Sequence, residues 1–338
     1  MRSPFAGFTL PAFFVRAIAA EATKRGASRA KLLADARLAD DALADPEEPV
    51  PLAAVFDAWA SAMRQLRDDA LPIAVARTFA IEHYPTLGFA VMTAPTGREA
   101  LARVVRFGGI VSRSGRWTIE ERRDGARLRW IRDGERTLGH RVANESAMAE
   151  LLHASRQTLG ADIRALGVSF RHAAPPNDRA HVAHFGAPVR WNADEDALVL
   201  PSAMLDAVPR LANPALARHF EREATLRLRE ADADAPLLAR ARAAVTAALP
   251  SGDPACAAIA KQLGTSERSL RRALAAERTS FRALVEDVRR DRARLLLADR
   301  RTSLGEIALA LGFSELSAFS RAFKRWEGRA PREARAVG

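Results

Sequence analysis

The sequence predicts an α+β domain over residues 1–230, followed by an all-α domain over residues 237–338 with two helix-turn-helix motifs joined by a linker helix. Helical and extended patterns alternate in the first segment, whereas the second shows helical periodicity alone. The charge distribution follows the same division. Residues 236–338 contain 20 Lys and Arg against 11 Asp and Glu, most of the net charge of +11. Positive charge confined to one domain is typical of a module that binds a polyanion.

A repeated pattern near the C-terminus predicts the two motifs. The sequence IAxxLG begins at Ile259 and again at Ile307, 48 residues later. The sequence LxRxL begins at Leu270 and returns as FxRxF at Phe319, 49 residues later. Each copy has the order helix, glycine turn, helix. This is the pattern of a duplicated helix-turn-helix, which places a recognition helix in the major groove of DNA.

Capping residues predict where the helices of the first copy begin. Asp253 and Pro254 are expected to open the scaffold helix, because Asp caps helices and Pro suits the first helical position. Gly264 supplies the turn, and Ser266 or Thr265 is expected to cap the recognition helix.

The second copy has a clearer beginning. Ser303 and Glu306 form a capping box, Gly312 ends the scaffold helix, and Ser314 is expected to cap the recognition helix. A connecting helix over 280–298 would be about 27 Å long at 1.5 Å per residue. A spacer of this length suits two recognition helices about one DNA turn, ~34 Å, apart.

The polar sides of the two recognition helices give the candidate DNA-binding residues. Arginine there can grip guanine edges or phosphates, serine can contact bases, and lysine suits phosphate. An ordinary solvated face is the alternative, and Arg321 has the further alternative of bridging two helices. The candidates are Arg268, Arg271, Arg272, Ser317, Ser320, Arg321, Lys324 and Arg325. The aromatic residues of the second recognition helix could stack on bases, but their helical spacing favours the hydrophobic core. These residues are Phe319, Phe323 and Trp326.

This module resembles the AraC/XylS family of transcription regulators. The resemblance rests on the pattern from Ile307 through Gly312, Phe319 and Pro331 to Arg335, and covers about 100 residues with the upstream copy. It implies a regulator of double-stranded DNA, more commonly an activator, that acts with RNA polymerase and forms a homodimer. Three departures are visible.

These departures lie away from the predicted reading faces. Arg278 replaces a usual glycine after the first recognition helix, so it is expected to adopt a left-handed backbone at a cost of about 1 kcal/mol. Ala330 replaces a usual serine, and Ala334 replaces a usual aromatic residue.

The first segment mixes predicted helices and strands. Helices are predicted at 11–36, 52–66, 97–107, 144–159 and 202–230. Extended segments are predicted at 87–92, 117–122, 126–132, 137–143 and 163–172. Asp124-Gly125 lies between two of them and is a strong hairpin signal. Residues 231–236 are expected to be the interdomain linker, since they lack apolar bulk.

A second, looser resemblance comes from Val168-x-Phe170-x-His172 and Phe185-Gly186, followed by Leu198 and Leu200. It is similar to the arabinose-binding-type effector domain of a subset of these regulators. This implies a domain that senses a small molecule, without implying that the molecule is arabinose. The candidate effector contacts are Phe89, Met92, Trp117, Trp130 and Phe170, with ordinary core packing as the alternative. A domain that only dimerises is the alternative for the whole segment.

Enzymatic and metal-binding functions find little support. His181 and His184 invite a metal site, but in an extended segment they would point to opposite faces. Cys256 is the only cysteine, which excludes a disulfide framework and a cysteine-based zinc site. A DNA-repair or DNA-modifying enzyme that uses the basic module for targeting, with Cys256 as a methyl acceptor, is the rival hypothesis. No catalytic residue and no cofactor is predicted.

The same features predict a soluble, cytoplasmic protein. The single cysteine suits a reducing compartment. Pro4, Pro11 and Arg16 interrupt the apolar N-terminal stretch, and no run approaches the ~20 apolar residues of a membrane span.

Overall fold

The computed structural model describes residues 8–112, 114–132, 137–160, 162–234, 237–297 and 302–337. The chain forms two compact units, Met1–Ala233 and Asp234–Gly338. Residues 231–234 of the expected linker form the end of a helix that begins at Pro214. Ala235 and Pro236 lie outside the described residues. Over the described ranges, no helix is long and apolar enough to cross a membrane.

The first unit combines helices with two small sheets. Its helices are α1 Phe13–Lys24, α2 Arg29–Ala36, α3 Leu52–Leu66, α4 Leu71–Ala76, α5 Pro85–Met92, α6 Gly97–Phe107, α7 Leu138–Leu159, α8 Arg179–Phe185, α9 Ser202–Asp206 and α10 Pro214–Asp234. Its strands are β1 Thr9–Pro11, β2 Pro49–Pro51, β3 Arg116–Arg122, β4 Gly125–Ile131, β5 Gly167–Ser169, β6 Val189–Arg190 and β7 Asp196–Pro201. The α+β class is confirmed.

The larger sheet has the order β3-β4-β7-β5-β6. The predicted hairpin is confirmed: β3 and β4 pair antiparallel around Asp124-Gly125, with Arg122 opposite Gly125. Gly125 has φ +156°, and a Cβ there would collide with the carbonyl of Leu200 on β7. Glycine is therefore required both by the turn and by the neighbouring strand.

Hydrophobic residues form separate clusters in this unit. One cluster packs α1, α2 and α3 together around Ile18, Leu32 and Phe56. A second lies between one face of the sheet and α7, with Leu128 and Phe170 fully buried. On the opposite face, β3 and β4 carry polar side chains that include Glu120, Arg127 and Arg129.

Two predicted strands are wrong. Residues 87–92 lie in helix α5, where Pro85 occupies the first turn. A short apolar run that is buried on several sides loses the periodicity that separates helix from strand. Residues 137–143 begin helix α7, whose N-cap is Thr137: its side chain accepts the backbone N–H of His140. The predicted helix at 144–159 is therefore the later part of a longer helix.

Two predicted helices are interrupted. The helix predicted at 11–36 is divided into α1 and α2 by Gly26, which has φ +97°, and by Ser28, which caps α2. The helix predicted at 202–230 is divided into α9 and α10. Of the extended segment predicted at 163–172, only Gly167–Ser169 forms a strand.

The second unit is all helical in its described residues. It consists of α11 Leu237–Ala248, α12 Cys256–Gln262, α13 Glu267–Ala276, α14 Phe281–Leu297, α15 Leu304–Ala310, α16 Leu316–Glu327 and α17 Pro331–Val337. One hydrophobic cluster contains residues from every helix between α11 and α16, among them Leu270, Val288 and Phe319. The connecting helix predicted at 280–298 is α14.

Two capping predictions in this unit are wrong. α12 begins at Cys256 after Ala255, and the carboxylate of Asp253 instead lies 3.0 Å from the guanidinium of Arg289. α16 begins after Glu315, without a capping hydrogen bond from a side chain, so Ser314 lies one residue too early. In the first case, the ion pair with Arg289 engages the carboxylate that was expected to cap the helix.

Candidate nucleic-acid interface

The first helix-turn-helix consists of α12 and α13. Gly264, with φ +70°, makes the turn between them. Ser266 caps α13 as predicted, since its Oγ accepts the backbone N–H of Ser269 at 3.1 Å. Leu270 and Leu274 are buried in the core of the unit. This burial fixes which side of α13 faces outward.

Three arginines project from that outward side. Arg268, Arg271 and Arg272 are all exposed. Glu267, one turn earlier, accepts the Nε and Nη2 of Arg271 at 2.8 and 2.6 Å and thereby raises the pKa of Arg271. Neither Arg268 nor Arg272 has an ion pair with any described residue. The helix thus presents two uncommitted guanidinium groups and one that is held in a fixed orientation.

The second helix-turn-helix consists of α15 and α16. The predicted capping box is confirmed: Glu306 accepts the backbone N–H of Ser303 at 2.7 Å, and Ser303 Oγ accepts that of Glu306 at 3.2 Å. Gly312 makes the turn with φ +73°. Phe319 and Phe323 are buried, which confirms that they belong to the core.

The outward side of α16 carries the remaining candidates. Ser317, Arg321 and Lys324 are exposed, and Ser320 is half-buried. Neither Arg321 nor Lys324 has an ion pair within the described part of the chain, so a bridging role for Arg321 finds no partner there. Arg325 differs, because its Nη2 lies 3.1 Å from the carboxylate of Glu286 on α14.

Two further arginines, Arg240 and Arg289, anchor the scaffold helices, and sequence reasoning missed this role. Arg289 on α14 donates to the carbonyl of Leu311 at 2.9 Å, at the end of α15. Arg240 on α11 donates to the carbonyl of Leu263 at 3.2 Å, at the end of α12. A cation is favourable at a helix C-terminus, where carbonyls lack partners.

The duplication therefore includes one more helix than the sequence motifs indicated. Arg240 and Arg289 are 49 residues apart, the same spacing that relates the two recognition helices. Each copy thus consists of three helices, α11-α12-α13 and α14-α15-α16. Arg242 and Asp291, also 49 residues apart, form an ion pair where α11 packs against α14. The repeated spacing of Arg240 and Arg289 was the sequence signal for this.

Known proteins resemble both parts of the chain. Residues 26–208 match the model described as the arabinose-binding domain of AraC transcription regulator, N-terminal. Residues 259–336 match a helix-turn-helix domain. The chain belongs to the AraC family of transcription regulators. The AraC-family chain is accordingly a DNA-binding transcriptional regulator, and the family is one of regulators, not enzymes.

Several known proteins that are similar to this AraC-family regulator are themselves named as regulators. The ornithine utilization regulator of Pseudomonas aeruginosa is 26% identical over 99% of both chains. The HTH-type transcriptional regulator VirS of Mycobacterium tuberculosis is 34% identical over 57% of this chain and 56% of its own. The crystal structure of the transcriptional regulator CdpR from Pseudomonas aeruginosa, 24% identical, covers 90% of this chain and 95% of its own with a TM-score of 0.43.

The rival repair-enzyme hypothesis is overturned by this membership in a family of regulators. In the structure of the AraC-family regulator, Cys256 is buried on α12, and burial raises the pKa of its thiol. A thiol that resists ionisation is a poor nucleophile. Cys256 contributes instead to the core between the helices.

The candidate effector contacts lie in different surroundings in the regulator. Trp117 and Trp130 pack together at 4.8 Å between ring centroids, and Phe170 stacks on Trp191. Met92 belongs to a smaller cluster with α6. Phe89 is 38% exposed and stacks on Phe220 of α10. Trp117, Trp130 and Phe170 thus share one hydrophobic cluster, whereas Met92 belongs to another, and the role of all five as effector contacts stays a prediction.

The two histidines that suggested a metal lie on α8, so the expected extended conformation is wrong. His181 contacts the carboxylate of Glu145 at 2.9 Å, while His184 contacts the carbonyl of Ala149 at 2.9 Å. Glu145 also meets His172 at 2.8 Å. Burial alone would raise the pKa of Glu145, but its hydrogen bonds with His172 and His181 hold that pKa below its usual value. The described residues contain no group of three or more side chains arranged to hold a metal ion.

A groove of about 820 Å³ opens on the first unit of the regulator, beside α1. One wall is aromatic, with Phe13 and Phe79 packed edge to face at 5.9 Å and His83 at 6.1 Å from Phe13. The other lining residues include both cations and carboxylates. Sequence reasoning missed this groove because its lining residues come from separate segments between Phe13 and Pro85.

Proposed function

We propose that this protein recognises specific DNA sequences through α13 and α16, and that an effector bound in the first unit controls this binding. The single observation that supports the DNA interface is the pair of exposed polar faces, each on a helix that follows a glycine turn. We assign phosphate contacts to Lys324 and Arg325. The other candidate residues are proposed to contact bases directly: Arg268, Arg271, Arg272, Ser317, Ser320 and Arg321.

The contact between Glu267 and Arg271 supports a base-reading role for Arg271. A guanidinium held at one edge has a restricted orientation, which suits bidentate recognition of a guanine. Lys324 has no such partner in the described structure. A mobile ammonium near the end of α16 suits a phosphate, which carries no sequence information.

Selection from a random duplex pool, followed by equilibrium binding, tests this division. We expect Arg271→Ala to lower affinity for the selected site by roughly 1–3 kcal/mol and to relax base preference in one half-site. Lys324→Ala is expected to weaken all duplexes alike and to reduce the salt slope by about 1. Arg222→Ala, an exposed change on α10, is the matched control.

Two results would contradict the assignments. Unchanged base preference in Arg271→Ala removes Arg271 from the reading set. A loss confined to one sequence in Lys324→Ala means that this lysine reads a base. If the wild-type protein enriches no sequence at all, specific recognition itself fails.

We further propose that the groove beside α1 holds the effector and that the effector is an organic cation. The groove's own cations are already engaged: Arg16 donates to two backbone carbonyls at 3.0 Å, and Lys24 and Arg29 pair with carboxylates. Glu47 and Glu82 line the groove without an ion pair to any described residue. The lining contains four Asp and Glu against three Lys and Arg, so its formal charge is negative.

The aromatic wall supports the same class of ligand. An ammonium or guanidinium group is attracted to aromatic faces as well as to carboxylates. The relative named an ornithine utilization regulator makes ornithine, with its two ammonium groups, the natural first probe.

Calorimetric titration of the full chain tests the groove. We expect L-ornithine or putrescine to bind more tightly than norvaline, which lacks the side-chain ammonium group. Glu47→Gln and Glu82→Gln should each weaken binding about tenfold, while Glu48→Gln, outside the groove, should not. Equal binding of norvaline, or full binding by both groove variants, would refute the cation proposal.

The family resemblance supports activation of transcription by a homodimer that contacts RNA polymerase. In transcription with purified polymerase, we expect the protein to raise the yield from a promoter bearing its selected site. A fall in yield would mean that it acts as a repressor.

A further inference from the structure

Strand β3 forms one edge of the five-stranded sheet. Within the described residues it pairs with β4 alone, over all seven positions from Arg116 to Arg122. Such an edge leaves a row of backbone donors and acceptors available for another strand. Trp117 and Ile119 point toward the core and remain partly exposed, while Thr118 lies on the opposite face.

The sequence of β3 is self-complementary in one antiparallel register. When Thr118 lies opposite Thr118 of a second copy, Arg116 lies opposite Glu120 and Trp117 lies opposite Ile119. Opposite charges and apolar pairs both favour cross-strand pairing. A shift that centres the pair on Ile119 places Arg116 opposite Arg122. A shift that centres it on Glu120 places two glutamates together.

Thr118 gives an independent reason for the same register. Its Oγ1 is buried and has no hydrogen-bond partner among the described residues. A buried hydroxyl without a partner is unfavourable. At the centre of a two-fold pair, rotation about χ1 would turn each Thr118 hydroxyl outward to meet the other, and facing threonines form cross-strand hydrogen bonds.

We propose that two copies of this protein associate through their β3 edges, with a two-fold axis at Thr118. The two sheets then form one continuous ten-stranded sheet. This proposal rests on the homodimer of the proposed function and names its interface. Two Arg116–Glu120 pairs, one on each side of the axis, determine the register.

Charge exchange across this axis provides the test, with sedimentation of the full-length protein as the measurement. In Arg116→Glu each Glu120 would face a glutamate, and in Glu120→Arg each Arg116 would face an arginine. We expect each variant alone to dimerise at least tenfold more weakly than the wild type. An equal mixture of the two variants should form a mixed dimer, because both pairs then become attractive. The doubly exchanged chain should dimerise like the wild type.

A cysteine at the axis provides a second measurement. In a Cys256→Ala background, Thr118→Cys is expected to cross-link two chains on mild oxidation, because directly opposed Cβ atoms lie about 4.5–5.5 Å apart. Arg122→Cys, four residues from the axis, is the control that should not cross-link. Circular dichroism confirms that each variant is folded.

The outcomes separate this inference from the proposed homodimer. A wild-type dimer that survives both charge variants, without a mixed-dimer preference, overturns the β3 interface and leaves the homodimer in place. A wild-type chain that is monomeric at every concentration overturns both. Restoration in the mixture, together with cross-linking at position 118, establishes the register.

Discussion

Two glycines at equivalent places in the duplicated motif have different surroundings. Gly264 and Gly312 both follow a scaffold helix and have φ of +70° and +73°. A Cβ on Gly264 would meet no atom within 4 Å. A Cβ on Gly312 would lie 2.5 Å from the carbonyl oxygen of Leu249 and would also collide with that of Gly252. The second turn is therefore packed against the segment after α11, while the first is open.

This difference predicts unequal effects for the same substitution. Gly264→Ala should cost about 1–2 kcal/mol, the strain of a left-handed backbone alone. Gly312→Ala should cost about 1–3 kcal/mol more, because backbone oxygens must move. Urea unfolding of the full chain, followed by circular dichroism, measures both. Equal losses of stability would mean that the contacts around Gly312 do not resist the added methyl group.

Arg278 shows what a single position can reveal in sequence. It stands where the family has glycine, and its φ of +54° confirms the expected left-handed backbone. The prediction succeeded because the constraint is local: a recognition helix of fixed length must end there. Arg289 was harder to interpret, because its partners are backbone carbonyls 22 and 23 residues away and leave no mark in side-chain composition.

At the scale of elements, prediction succeeded where local signals agree. The helices at Leu52–Leu66 and Gly97–Phe107 have the predicted bounds, since each has a strong amphipathic pattern. The β3–β4 hairpin was predicted from its turn and its alternating residues. Both recognition helices were predicted because the motif occurs twice in the sequence, so that each copy supports the interpretation of the other.

Elements whose pattern depends on tertiary surroundings were not predictable. α5 is short and mostly apolar, and α8 is a seven-residue helix with two buried histidines. α5 is buried on several sides, which removes the contrast between a polar and an apolar face. In α8 the buried face carries His181 and His184 while Val182 is exposed, so polar and apolar positions are the reverse of the usual pattern. The groove beside α1 was not predictable either, because its walls meet only after distant segments have folded.

At the scale of the whole molecule, buried ionisable groups are divided unequally between the two units. In the first unit burial lowers the pKa of His184 to about 4 and raises that of Glu150 to about 7. Among the described residues of the second unit, the carboxyl group with a shifted pKa is the exposed Glu306 of the capping box. The pH dependence of stability should therefore arise mainly in the first unit.

His184 and Glu150 are expected to act in opposite directions. Neutral His184 donates from Nε2 to Ala149, and its Nδ1 accepts from Arg77, so protonation is opposed in the folded state. Its contribution to stability is lost as pH falls from about 6.5 to 4. Burial of Glu150 favours its protonated form and outweighs the hydrogen bond that it accepts from Tyr84, which favours the ionised form, so its contribution to stability is lost as pH rises from about 4.5 to 7.

Because the two windows overlap, the wild-type protein should show little change in stability between pH 7 and pH 5, and variants should reveal the two slopes. Glu150→Gln leaves His184 unopposed, so the free energy of unfolding should fall by about 1–3 kcal/mol on acidification. His184→Gln leaves Glu150 unopposed, and the free energy should rise over the same range by an amount on the order of 1 kcal/mol. Urea unfolding followed by tryptophan fluorescence measures both, because Trp59, Trp117, Trp130 and Trp191 all lie in the first unit. Slopes of the same sign in the two variants would show that other groups control the acid response.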